Sequence, residues 1–201
     1  MTLTQFSGWT GCLIGALIVA AMLTSQPVAR VDETASAAAV MEQAEQSRRR
    51  RASVVTDHTL IIPVAGVSGS ALTDTWGAAR SEGRSHEGID IMAPAGTPVR
   101  AAADGRVVKF FDSVRGGITI YQFDTSERFV YYYAHLSSRA AGLAEGDVVE
   151  QGDVIAYVGM SGNAPVPHLH FEIQRLTPER HWWEAESMNP YPLLVAGRAP
   201  D

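Results

Sequence analysis

Residues 58–193 predict an all-β domain, and three observations carry that prediction. Short runs rich in Val, Ile, Tyr and Phe recur at residues 60–64, 88–92, 106–111, 118–123, 129–134, 154–158 and 168–174. Gly and Pro punctuate the intervals between them, as turns require. No long helical period appears. Two stretches, Gly96-Thr97-Pro98-Val99 and Gly146-Asp147-Val148-Val149, read as related turn-into-strand units, each followed by a further glycine, Gly105 or Gly152.

Ahead of this domain the composition differs. Residues 11–23 are almost uninterruptedly apolar, and with Gly8, Trp9 and Thr24 the run approaches the ~17 residues that cross a bilayer at the short end of the range. Residues 1–24 are therefore expected to form a membrane anchor, with a cleaved signal segment as the alternative. Residues 1–10 lack Lys and Arg, and no small-x-small site follows Leu23 closely, which weighs against cleavage. Arg30 and Arg48 to Arg51 lie beyond the apolar run, where the positive-inside rule would hold them in the cytoplasm; interleaved acids dilute that effect. Residues 32–51 contain no Gly or Pro and are rich in Ala, Glu, Gln and Arg, so 25–57 reads as a solvated helical spacer. Residues 194–201 read as a tail.

Charge excludes one class of partner. The net charge of −6 resides in residues 58–201, because five Arg and five acids balance in 1–57. An acidic domain with a single lysine, Lys109, is a poor match for nucleic acid, whose phosphates need a basic surface. The lone cysteine, Cys12, rules out an internal disulfide and a thiolate zinc site. The turn-into-strand units also occur in biotinyl and lipoyl carrier domains. Such a domain needs a lysine at a hairpin tip, and Lys109 falls inside a strand-like run.

Four of the six histidines point to metal chemistry. In His168-Leu169-His170 the alternation of a strand puts both imidazoles on one face, about 6.5–7 Å apart at Cα, and sends Leu169 and Phe171 to the other. His86 and Asp90 would be about 13 Å apart if fully extended, too far to share an ion, so the chain must bend between them, where Gly88 stands. His135 closes the run Tyr131-Tyr132-Tyr133-Ala134, of which alternate members should enter a core. The loop 159–167 is expected to line a groove. His58 and His181 are left over as structural or incidental, and His181-Trp182-Trp183 reads as either an edge cover or a binding platform.

His86-x-x-x-Asp90, then Tyr133-Ala134-His135-Leu136, then His168-x-His170, resembles the lysostaphin/LytM-type zinc endopeptidases of cell-wall peptidoglycan. Gly159-x-Ser161-Gly162-Asn163 and Asn189-Pro190-Tyr191-Pro192 agree with the same pattern, and the likeness covers roughly residues 60–193. The resemblance implies an antiparallel sheet or open barrel with a groove, and one zinc ion (Zn2+) per domain held by His86, Asp90 and His170. It implies His135 and His168 as the catalytic pair that handles water and substrate. The expected activity is hydrolysis of peptide stems or cross-bridges of peptidoglycan, from a domain that faces the cell wall and is tethered by residues 8–24. The alternative is a metal-free LytM-like module that binds or activates cell-wall amidases; intact ligand positions argue against it. There is no His-Glu-x-x-His helix, so a thermolysin-like site is excluded.

Overall fold

The β-branched and aromatic runs build nine strands, seen in a computed structural model that describes residues 59–201. The expected anchor, the spacer and His58 lie outside the described residues. The strands are β1 (Ile89–Met92), β2 (Pro98–Arg100), β3 (Gly105–Ser113), β4 (Gly117–Asp124), β5 (Phe129–Arg139), β6 (Val148–Val149), β7 (Val154–Val158), β8 (His168–Leu176) and β9 (Ala185–Met188). One short helix, α1 (Tyr191–Ala196), follows.

All nine strands join one antiparallel sheet in the order β1-β8-β5-β4-β3-β6, and β9 adds to β8 beyond the reach of β1. The sheet branches at β5, whose C-terminal part pairs with β7, which in turn pairs with β2. The all-β expectation holds for this domain. Among the described residues no helix is long and apolar enough to cross a membrane.

Strands β8 and β5 divide the molecule into a core side and a site side. Leu169, Phe171 and Ile173 of β8 pack with Phe129, Tyr131 and Tyr133 of β5 and with Ile89 and Ile91 of β1, all fully buried. Burial of this apolar surface is the main force holding the sheet in register, because a slip of one residue would turn the set to the other face. The Tyr133 hydroxyl is satisfied inside the core: it donates to Gln122 Oε1 at 2.8 Å and accepts the Ala102 N–H at 2.9 Å.

Three differences from the sequence reading have local causes. Residues 60–64 make only an isolated bridge, Val64 with Val99, because Pro63 has no N–H to offer a ladder. Strand β9 (Ala-Glu-Ser-Met) escaped the sequence reading because it carries no β-branched residue, whereas β2 and β6 fall at the ends of the two turn-into-strand units. Residues 194–201, read as a tail, begin inside α1; Leu194 is in the core and Arg198 bridges to Thr59.

Candidate metal centre and its groove

The register of β1 against β8 sets Asp90 directly opposite His170 and Met92 opposite His168. His86 lies just before β1 and folds back over it. Gly88 makes this possible through close approach rather than an unusual φ. A Cβ there would stand 2.5 Å from the Phe171 carbonyl oxygen and 3.0 Å from His170 Cε1. As a result His86 Nε2 lies 2.8 Å from His170 Nδ1 and 3.1 Å from Asp90 Oδ1, and His170 Nδ1 lies 3.2 Å from Asp90 Oδ1. The bend expected between His86 and Asp90 is present.

The hydrogen-bond accounting at these three side chains is decisive. His86 Nδ1 donates to the Thr75 carbonyl at 2.7 Å, so its Nε2 carries a lone pair. His170 Nε2 donates to Glu172 Oε1 at 2.7 Å, so in the neutral ring its Nδ1 carries one too. With both rings neutral, two imidazole lone pairs and a carboxylate oxygen converge, which is repulsive unless positive charge sits there: a proton on His170 in the metal-free protein, or a metal ion in its place. Ligands at 2.0–2.1 Å around a tetrahedral zinc are separated by about 3.3 Å, close to the spacings here. The donor set, two His and one carboxylate, fits zinc and leaves a position open.

Electrostatics tell the same story. Burial alone would raise the Asp90 carboxyl, yet hydrogen bonds from His170 and His86 hold it well below the ordinary carboxylate range. Burial opposes charge on His170, but the Asp90 and Glu172 carboxylates on either side overcome it and push its pKa up to about 9. The centre calls for positive charge.

His135 and His168 stand beside the triad and are held differently. His168 Nδ1 donates to the Val166 carbonyl at 2.8 Å, leaving Nε2 facing Asp90 Oδ1 at 3.5 Å. His135 Nδ1 donates to the Ser161 carbonyl at 2.9 Å, and the two rings are 4.8 Å apart. Burial pulls the His135 pKa down to about 4, with the Ser161 carbonyl opposing, so the ring is neutral at pH 7. Plain alternation along β5 would send His135 to the core with Tyr133. Instead Ile120 pairs with Tyr133 while Ile118 pairs with Leu136, so β5 carries one extra residue. His135 absorbs this bulge in the left-handed region (φ 61°), its N–H bonded to the Gly116 carbonyl. The bulge turns the ring into the groove.

The loop 159–167 does line that groove, and it also positions His135. Ser161 Oγ accepts the Ile118 N–H at 2.9 Å and donates to the Leu136 carbonyl at 2.7 Å. Gly117 (φ 66°) and Gly162 (φ 73°) let the two backbones touch: a Cβ on Gly162 would lie 2.2 Å from the Arg115 carbonyl oxygen. The groove, about 390 Å³, contains the four site histidines, with Tyr132 on its wall. Tyr132 faces it while Tyr131 and Tyr133 are buried, as alternation requires. His181 is not part of the site: it stacks on Trp183, and Trp182 packs on Tyr121 and Phe111.

Three further contributors complete the centre; the sequence leaves Glu172, like Glu87, open as a partner of a ligand histidine and gives no hint of the other two. Glu172 had a signal, since it shares the face of His170 two residues along β8, but alternation could not show that it reaches the ring. Gln174 and Ser187 in turn donate to Glu172 Oε2. Thr75 and Arg80 had none. Thr75 serves His86 by its carbonyl and accepts the Asp90 N–H at its hydroxyl, 3.1 Å. Arg80 bonds Asp90 Oδ2, the carboxylate oxygen turned away from the triad.

Residues 84–190 match the model of peptidase family M23. The chain belongs to that family. It is similar to an L-Ala–D-Glu endopeptidase of Bacillus subtilis, 35% identical over 149 residues, covering 70% of this chain and 44% of the relative. It is also similar to a peptidoglycan DD-endopeptidase of Vibrio cholerae, 37% identical over 89 residues, covering 44% of this chain and 20% of the relative. This M23 chain therefore spans less than half the length of these curated relatives. Among solved structures, the catalytic domain of lysostaphin from Staphylococcus simulans superposes with a TM-score of 0.52 at 29% identity, over 60% of this chain and 88% of that one.

Proposed function

We propose that this M23 member is a zinc-dependent endopeptidase that hydrolyses peptide stems or cross-bridges of peptidoglycan. The observation that carries the reading is the meeting of His86 Nε2, His170 Nδ1 and Asp90 Oδ1 with both outer ring nitrogens already engaged. These three residues would hold one zinc ion per domain, which polarises the scissile carbonyl and makes water nucleophilic near neutral pH. The Vibrio cholerae relative, a peptidoglycan endopeptidase by name, supports the substrate class.

The chain's own groups then have assigned tasks. His135 and His168, each with Nδ1 tied to a backbone carbonyl, both offer Nε2 to the groove. Neutral Nε2 of His135 accepts a proton from the attacking water. His168 Nε2, 3.5 Å from Asp90 Oδ1, is placed to hand a proton to the developing oxyanion or the leaving amine. The metal-free amidase-activating alternative has no use for a converging donor set, and no observation favours it.

The test is digestion of purified sacculi by the zinc-loaded full-length protein, with mass spectrometry of the released muropeptides. New peptide termini that vanish with chelator are expected. Intact stems and cross-bridges after digestion would overturn the reading.

For residues 8–24 we infer a membrane anchor, with 25–57 as a spacer of about 50 Å if helical, and the M23 domain on the wall side. The inferred substrate exists only there. A C-terminal alkaline phosphatase fusion should be active; a fluorescent fusion confined to the cytoplasm with inactive phosphatase would reverse the orientation. A mature N-terminus beyond Thr24 would make the enzyme released instead of tethered.

A further inference from the structure

We infer that Arg84 and Arg115 form a carboxylate-binding subsite on the groove rim, selecting peptide substrates that carry a free carboxylate near the scissile bond. The inference rests on the peptidase reading and deepens it.

Both arginines line the groove that holds the metal ligands. Their guanidinium groups converge on a single oxygen, Glu82 Oε2: Arg115 Nη2 bonds it directly and Arg84 Nε lies 3.8 Å away. Two guanidinium groups aimed at one carboxylate oxygen is the geometry with which proteins bind carboxylates. Here the chain supplies the carboxylate itself. Glu82 sits in the left-handed region (φ 64°) within the short 3-10 turn Ser81–Gly83, at the tip of a loop closed by the Ala79–Ser85 bridge.

The balance of charge is incomplete. Among the described residues Glu82 is the one carboxylate within 4 Å of either arginine, so two positive charges share one negative. Arg84 Nε, itself buried, has no hydrogen-bond partner, since Glu82 stays beyond bonding distance. Arg80, the third arginine of the groove, is excluded from this role because Asp90 neutralises it. Glu82 and Arg115 are both more than half exposed, so water weakens their pairing and a substrate carboxylate can join or displace Glu82 at small cost. The domain as a whole is acidic, which makes a local excess of guanidinium at the groove mouth a selective feature rather than a general attraction for anions.

The test uses stem peptides prepared from peptidoglycan, with their carboxylates either free or converted to carboxamides. Calorimetric Kd and kcat/KM are both measured on the zinc-loaded full-length protein. The free acids are expected to bind about 10-fold tighter than the carboxamides, with the difference carried by KM. Arg115→Gln and Arg84→Gln should bring that ratio close to about 1, Arg115→Lys should restore part of it, and Glu82→Gln should tighten binding of the acids. Equal binding of acid and carboxamide by the wild-type protein, or a ratio untouched by both arginine variants, overturns the subsite. A retained acid preference without cleavage would sink the peptidase reading and leave the subsite standing.

Discussion

The two histidine pairs of the groove sit side by side, yet the structure holds them differently. His86 and His170 have their outer nitrogens engaged, by the Thr75 carbonyl and the Glu172 carboxylate, and turn their lone pairs on each other and on Asp90. His135 and His168 each give Nδ1 to a backbone carbonyl and keep the other nitrogen outside that convergence, His168 Nε2 standing 3.5 Å from Asp90 Oδ1. The lesson is that ring chemistry is identical in all four and the partners decide. On the proposed reading the converging pair would hold the metal, and the other pair would handle the proton.

The strongest way to break this contrast is to remove a member of the first pair. His170→Ala should leave zinc content near zero by elemental analysis, and hydrolysis equal to that of the chelated protein, because two ligands rarely hold catalytic zinc. Zinc retained at one per domain would show that the converging set is not the metal site. Next in size, His135→Ala and His168→Ala should keep zinc but lower turnover by about 10²-fold or more, the scale of a lost acid–base group. If either loses zinc, the division between the pairs is wrong.

Substituting the supports sharpens the comparison further. Glu172→Gln leaves the ring in place but removes the carboxylate acceptor, and zinc affinity measured by chelator competition should weaken about 10- to 100-fold. Gly88→Ala drives a methyl group into the Phe171 carbonyl and the His170 ring. It should cost about 1–3 kcal/mol of stability by denaturant melt, the usual range for overpacking, and weaken zinc binding with it. An unchanged midpoint would mean that the strands yield at this point.

The smallest effect expected is also the most diagnostic, since His135 and His170, one from each pair, should respond to pH with opposite sign. His135 binds a proton near 6.5 when unfolded but only near 4 in the native protein. Its contribution therefore makes stability full above about 6.5 and declining as pH falls toward 4, a slope that His135→Gln should flatten. His170 in the metal-free protein holds its proton up to about 9. Its contribution is full below about 6.5 and lost as pH rises through 9, and zinc loading should erase that limb by taking the proton's place. Melts of the metal-free and zinc-loaded protein across pH read both; slopes of the same sign would refute the assignment of roles.

Much of this was legible in the chain. Period-two patterning of β8 placed His168 and His170 on one face and Leu169 and Phe171 in the core, because successive side chains of a strand must point to opposite sides. The distance between His86 and Asp90 demanded a bend, and the only residue between them without a side chain stands where the strands touch. Tertiary structure alone decided the rest. It chose the β1–β8 register that faces Asp90 with His170, brought Glu172 and Thr75 to the rings, and set Arg80 on Asp90. It also overruled alternation at His135, where a bulge demanded by the pairing of β4 with β5 swings the ring from the core side to the groove. Local sequence fixes the direction of a side chain only while the ladder stays regular. Where two strands of unequal count must pair, the sheet decides, and here it decides at a residue of the candidate site.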